Sequence, residues 1–231
     1  MATLLLVRHG RSTANVAGIL TGRTPGVDLD SVGISQAERA AERIAAVPVV
    51  AVVSSPLARC RQTAQIIAEH HPLQTQLEPG ITECDYGQWQ GRPLKELAQE
   101  PLWSVVQNQP SVAVFPGGES LAAMQARSVE AVRRLDAEVE AEHGAGAVWV
   151  AVSHGDIIKS VLADALGMEL DLFQRLTVDP GSVSIVRYGT TRPEVVATNT
   201  DSGDLSWLRA ADPVGDAQVG GGAGPESAAR S

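Results

Sequence analysis

The chain has 231 residues, 44% hydrophobic and 19% charged. That is apolar enough for one large domain with a sizeable core, and too sparsely charged for a solvated disordered polymer. Its 18 Lys and Arg stand against 27 Asp and Glu, a formal net charge of −9, which argues against a general binder of nucleic acid or anionic membrane. Only Lys95 and Lys159 are lysines, so nearly every cation is an arginine, the side chain suited to bidentate recognition of phosphate or carboxylate. Cys60 and Cys84 form neither a C-x-x-C pair nor a zinc spacing, so no disulfide framework and no metal site are expected. The apolar run near Met1 is short and has no charged leader, and no later run approaches the ~18–20 residues of a spanning helix. A soluble, cytoplasmic protein is the expectation.

In chain order, the first apolar run, residues 3–7, predicts a buried strand. A helix follows, with Asp30 as N-cap and Ala37, Ala40, Ala41, Ile44 and Ala45 at helical spacing. Residues 49–53 predict a second strand, and Cys60, Ala64, Ile67 and Ala68 a second helix. The stretch 72–118 is irregular, with Trp89, Trp103 and Phe115 among several Gly and Pro, and reads as a cap inserted over one end of a sheet. Leu121, Met124, Val132, Leu135 and Val139 mark a long helix. Residues 147–152 predict another strand, Ile157, Ile158, Val161, Leu162 and Ala165 another helix, and 182–188 a last strand. Such alternation predicts an α/β fold, a mostly parallel sheet with helices on both faces, over residues 1–208. Residues 209–231, rich in Gly, Ala and Pro, predict a disordered tail.

Ligands of parallel α/β sheets collect at the carboxyl ends of the strands. The first strand ends in Arg8-His9-Gly10, the 147–152 strand in Ser153-His154-Gly155, and the 49–53 strand leads through Ser54-Ser55-Pro56 to Arg59, one turn into a helix. Glycine after each His would let the chain turn sharply beside the imidazole. Helix N-termini and the two guanidiniums suit a dianionic phosphoryl group. His9 would attack phosphorus as a neutral imidazole, its pKa held down by neighbouring Arg side chains. His154 would donate to a non-bridging oxygen, and Arg8 and Arg59 would stabilise transition-state charge.

These residues carry a resemblance. Leu6-Val7-Arg8-His9-Gly10 with Asn15 is similar to the signature of the histidine phosphatase superfamily, the phosphoglycerate-mutase-like fold. The similarity continues through Ser54–Ala64, Glu83-Cys84-Asp85-Tyr86-Gly87-Gln88-Trp89-Gln90-Gly91, Pro116-Gly117-Gly118-Glu119-Ser120 and Ser153-His154-Gly155, in the family's order. The resemblance implies that His9 becomes phosphorylated and that Arg8, Arg59 and His154 hold the phosphate, with Asn15 a further contact. It implies that Glu83 protonates the leaving oxygen and later activates water. Thr21, Gly22, Tyr86 and Gly155 match substrate-binding positions, the family needs no metal, and no cofactor is expected for this chain. A general acid needs a raised pKa, for which Tyr86 and Trp89 could supply burial to Glu83.

The resemblance covers phosphatases and cofactor-dependent phosphoglycerate mutases. Mutases of the family typically carry Arg and His where this chain has Cys84 and Asp85, and a Trp-Arg-Arg run where Trp103 is followed by Ser104 and Val105. Residues 98–118 contain no Arg or Lys. A phosphatase acting on a small phosphorylated metabolite is the expectation, with Arg11, Arg23, Arg92 and Lys95 available for an anionic leaving group. The alternatives are a mutase, a non-catalytic phosphate-binding module, and a metallohydrolase, the last without any H-x-H or H-E-x-x-H spacing. No nucleic-acid or membrane partner is expected, and a homodimer is left open.

Overall fold

The computed structural model describes residues 2–189, 191–201 and 220. In chain order its regular elements are β1 (Thr3–Arg8), α1 (Thr13–Val16), α2 (Ser31–Ile44), β2 (Val49–Ser54), α3 (Ala58–Ala68), β3 (Thr75–Leu77), α4 (Leu94–Leu97), α5 (Pro101–Asn108), α6 (Leu121–His143), β4 (Val148–Ser153), α7 (Gly155–Ala165), β5 (Val183–Tyr188) and β6 (Pro193–Thr200), with short 3₁₀ turns between them. The sheet order is β3-β2-β4-β1-β5-β6. The first four of these strands run parallel, whereas β5 is antiparallel to β1 and β6 to β5. The mostly parallel sheet is as the strand–helix alternation predicts; the antiparallel edge had no signal in it.

Alternation along the central strands builds the two faces. Leu4 and Leu6 of β1, with Trp149 and Ala151 of β4, join the core that holds α6 and α7. Leu5 and Val7, with Val150 and Val152, join the core that holds α2 and α3. Helices therefore cover both faces, because a parallel sheet must bury both. The helix starts follow their caps. The Asp30 carboxylate accepts from Gly33 N at 2.7 Å to open α2, and the Ser120 hydroxyl accepts from Ala123 N at 3.0 Å to open α6. Buried Asp136 accepts the Trp149 indole N–H at 2.9 Å, so the largest side chain of β4 is satisfied inside the core.

The stretch 72–118 is less irregular than its composition suggests. It gives β3 to the sheet edge and then forms a small aromatic-centred layer. Trp89 stacks on Trp103 with centroids 6.2 Å apart, and Phe115 meets Tyr86 and Trp89 edge-on at 4.9 and 5.3 Å. The expected tail, 209–231, lies outside the described residues apart from Gly220. Among the described residues, no helix is long and apolar enough to cross a membrane.

Candidate active site

Strands β2, β4 and β1 are parallel neighbours, so their carboxyl ends reach one rim together: Arg8 lies beside Ser153, and Ser54 beside Val152. The chain then carries His9, His154 and Arg59 inward. The two imidazole centroids are 5.2 Å apart with ring planes at 64°. Arg59, in the first turn of α3, lies between them: its Nε donates to His9 Nε2 at 3.2 Å, and its NH2 reaches His154 Nδ1 at 3.1 Å and the Gly22 carbonyl at 2.9 Å.

Hydrogen bonds fix the His9 tautomer. Its Nδ1 is 2.7 Å from the Gly10 carbonyl, which can only accept, so Nδ1 carries the proton and Nε2 presents a lone pair. Burial, reinforced by the charges of Arg59 and Arg8, holds the His9 pKa well below its usual 6.5 and keeps the ring neutral. His154 is likewise held well below 6.5, by burial first and then by Arg59 and His9. Its Nδ1 accepts from Arg59, and its Nε2 lies 2.8 Å from the Ser55 hydroxyl, which can donate or accept. Arg59 can only donate, so the His154 proton is on Nε2 and is donated to the Ser55 hydroxyl, a role for Ser55 that the sequence reading did not assign. Cys60 Sγ sits 3.4 Å from the same nitrogen, fully buried, its thiol pushed up to about 12 chiefly by burial.

Glu83 faces this cluster from the segment after β3. It is 3% exposed, and its Oε2 lies 3.8 Å from His154 Nδ1. Burial, with the charge of Asp156 adding to it and Arg59 opposing it, pushes its carboxyl up to about 7. Tyr86, one of the two aromatics the sequence pointed to, lines the same cleft as Glu83. The Glu83 backbone is clamped: Arg23 Nε and Arg127 NH2 donate to its carbonyl at 2.8 and 3.2 Å. The Glu119 carboxylate holds both arginines and the Asp85 N–H. Glu119, Arg127 and Asp156 are the supporting residues that sequence reasoning missed. Asp156 had a signal, being a carboxylate in the first turn of a helix buried nearly all round. Its Oδ2 accepts from Tyr86 Oη at 2.8 Å and Gly220 N at 3.0 Å, while Oδ1 has no hydrogen-bond partner among the described residues.

A cleft opens over His9, Arg59 and Glu83. Ser12, Asn15, Thr21 and Gly22 supply its polar lining; Ile19, Leu20, Tyr86 and Leu94 its apolar lining; Gly220 completes it. Asn15 also caps its own helix, its Oδ1 accepting from Ser12 N and Oγ. Arg8 is fully buried, donates to the Val178 carbonyl at 2.8 Å, and is outside the lining, as is His154. Gly155 is buried as the first residue of α7.

Gly10 leaves room for a close backbone approach, because an added Cβ would lie 2.1 Å from the Gly33 carbonyl oxygen, and neither it nor Gly155 has a positive φ. One expectation is corrected. The arginines around the cleft are engaged elsewhere: Arg11 pairs with Asp30 at 2.7 Å, Arg23 with Glu119 at 2.9 Å and Arg92 with Glu100 at 2.7 Å. Lys95 is exposed and outside the lining. Among the described residues, no group of three or more His, Cys, Asp or Glu could hold a metal ion.

Comparison with known proteins agrees with this fold. Residues 4–201 match the profile of the histidine phosphatase superfamily (branch 1). A probable phosphoglycerate mutase GpmB of Yersinia pestis (strain Pestoides F) is 32% identical over 192 residues, 81% of this chain and 86% of its own length. Among solved structures, a putative alpha-ribazole-5'-P phosphatase of Escherichia coli K-12 superposes with a TM-score of 0.75 at 26% identity, covering 86% of this chain and 96% of that one. A mycobacterial glucosyl-3-phosphoglycerate phosphatase in complex with VO3 gives 0.77 at 27%, covering 86% and 99%.

Proposed function

Starting from the chain's membership of the histidine phosphatase superfamily, we propose that it is a phosphomonoester hydrolase that works through a phosphohistidine, without a metal. The observation that carries this reading is the pairing of opposite protonation states across one cleft. His9 Nε2 is held unprotonated by the Gly10 carbonyl on the far nitrogen, while burial keeps Glu83 protonated up to about pH 7. Mere binding of phosphate needs neither.

In the first step His9 Nε2 attacks phosphorus and the N–P bond forms. The ester P–O bond breaks, and the Glu83 proton passes to the departing alkoxide. Arg59 Nε–H transfers its hydrogen bond from the imidazole to a phosphoryl oxygen, and Arg8 adds charge from behind. With its Nδ1 accepting from Arg59, neutral His154 carries its proton on Nε2, directed at the Ser55 hydroxyl, and its ring holds the Arg59 guanidinium in place beside the phosphoryl group. In the second step the Glu83 carboxylate takes a proton from water, whose oxygen attacks phosphorus. The N–P bond breaks, and inorganic phosphate leaves with Glu83 again protonated.

Rapid quench with a labelled phosphomonoester should trap an acid-labile, alkali-stable adduct in the native chain and none in His9→Ala. An adduct that persists in His9→Ala would remove His9 as nucleophile. A second reading, phosphoglycerate mutase, is favoured by the name of the Yersinia pestis relative. Efficient isomerisation of phosphoglycerate in the presence of its bisphosphate would promote it over hydrolysis.

A further inference from the structure

Resting on the phosphatase reading, we infer that the group esterified to the phosphate is uncharged and partly apolar, an alcohol or phenol rather than a second acid. The cleft places Ile19, Leu20, Tyr86 and Leu94 around the leaving group, and among the described residues no uncommitted cation lines it.

Among the described residues Arg59 is the one guanidinium in the lining, and it is engaged by both imidazoles and the Gly22 carbonyl, where the phosphoryl group itself must sit. Around the rim, Arg11, Arg23 and Arg92 each meet a carboxylate at 2.7–2.9 Å. Arg23 is additionally bound to the Glu83 carbonyl, so recruiting it would loosen the acid's own support. Lys95 follows Leu94 in α4, but successive helical positions point about 100° apart, and Lys95 faces solvent.

A carboxylate or second phosphate on the leaving group would therefore enter with no cationic partner among the described residues. It would also approach two carboxyl groups, Glu83 and the buried Asp156 behind Tyr86. Desolvating an unpaired anion there is costly. An apolar leaving group meets the opposite situation, since each buried methylene is worth about fourfold in affinity. Hydroxyls on it are accommodated by Thr21 and Asn15, the polar side chains of the lining beside Ser12.

The test compares phosphate release from benzyl phosphate and 4-carboxybenzyl phosphate, whose leaving groups are alike except for the distant charge. The expected kcat/KM favours the uncharged ester by about tenfold or more. Equal values, or a preference for the carboxylate, would overturn the inference while leaving the phosphatase reading intact. Turnover of neither ester would take down the phosphatase reading, and the inference with it. Leu94→Arg puts a guanidinium on the apolar wall. It should narrow the ratio by about threefold or more, through KM of the charged ester; an unchanged ratio would mean that this wall does not face the leaving group.

Discussion

A carboxyl group that titrates near neutrality makes two quantities depend on pH in ways that can be measured together. Glu83 loses its proton as pH rises through about 7, and in the proposed mechanism that proton is the one the alkoxide needs. His9, held neutral well below 6.5, imposes no loss in mildly acidic solution. For an alkyl phosphate, kcat/KM should be level below neutrality and fall about tenfold per unit above it. Glu83→Gln should abolish that fall and lower the rate by about 10²–10⁴, with a much smaller loss for a nitrophenyl ester, whose leaving group needs no acid. A native profile without the alkaline fall would contradict the role of Glu83. The same group acts on stability. Its folded pKa lies above its usual 4.5, so its stabilising contribution is full below 4.5 and is lost as pH rises through 7. Glu83→Gln should therefore be the more stable protein at about pH 8, by on the order of 1–3 kcal/mol, and gain nothing in acid. Thermal melts at the two pH values check this.

At the scale of elements, the loop after β1 is braced by the N-terminus of α2. The Cβ of an alanine at Gly33 would stand 2.0 Å from the Arg11 carbonyl oxygen, and Gly10 N donates to the Thr63 hydroxyl at 3.2 Å, linking the loop to α3 as well. On helix propensity alone Gly33→Ala should stabilise α2 by ~1 kcal/mol. The close approach predicts the reverse sign: a loss of about 1–3 kcal/mol and a fall in kcat as the loop bearing His9 is displaced. Denaturant unfolding decides between them, and a stabilised variant would show that the contact yields. The sequence made β1, β2 and β4 legible because buried parallel strands are continuous apolar runs, and it made His9, His154 and Arg59 legible because each follows such a run. What it could not show is who pairs with whom. Arg23 finds Glu119 across 96 residues, and Arg11 and Arg92 find carboxylates that only the fold brings near, so residue type alone presented them as free. The antiparallel direction of β5 was hidden for a similar reason: a buried strand has the same composition whichever way it runs.

Across the whole molecule, a net charge of −9 surrounds a site built for a dianion. The attracting guanidiniums are buried and weakly screened by salt, whereas the repelling surface carboxylates are screened fully. Raising ionic strength from about 0.01 M to 0.15 M should therefore increase kcat/KM for a dianionic ester under conditions where capture is limiting. A decrease would mean that an exposed basic approach governs entry. The cleft has one more property that follows from its thiols. Cys60 touches His154 yet is sealed from solvent, with its proton held up to about 12, and Cys84, next to the acid, is equally buried and also shifted upward. Neither supplies a thiolate to peroxide or to an alkylating electrophile while the protein stays folded. Under the proposed mechanism, with nitrogen as the nucleophile and sulfur kept inert beside it, activity should run unchanged through oxidative conditions that would silence a phosphatase dependent on an ionised cysteine.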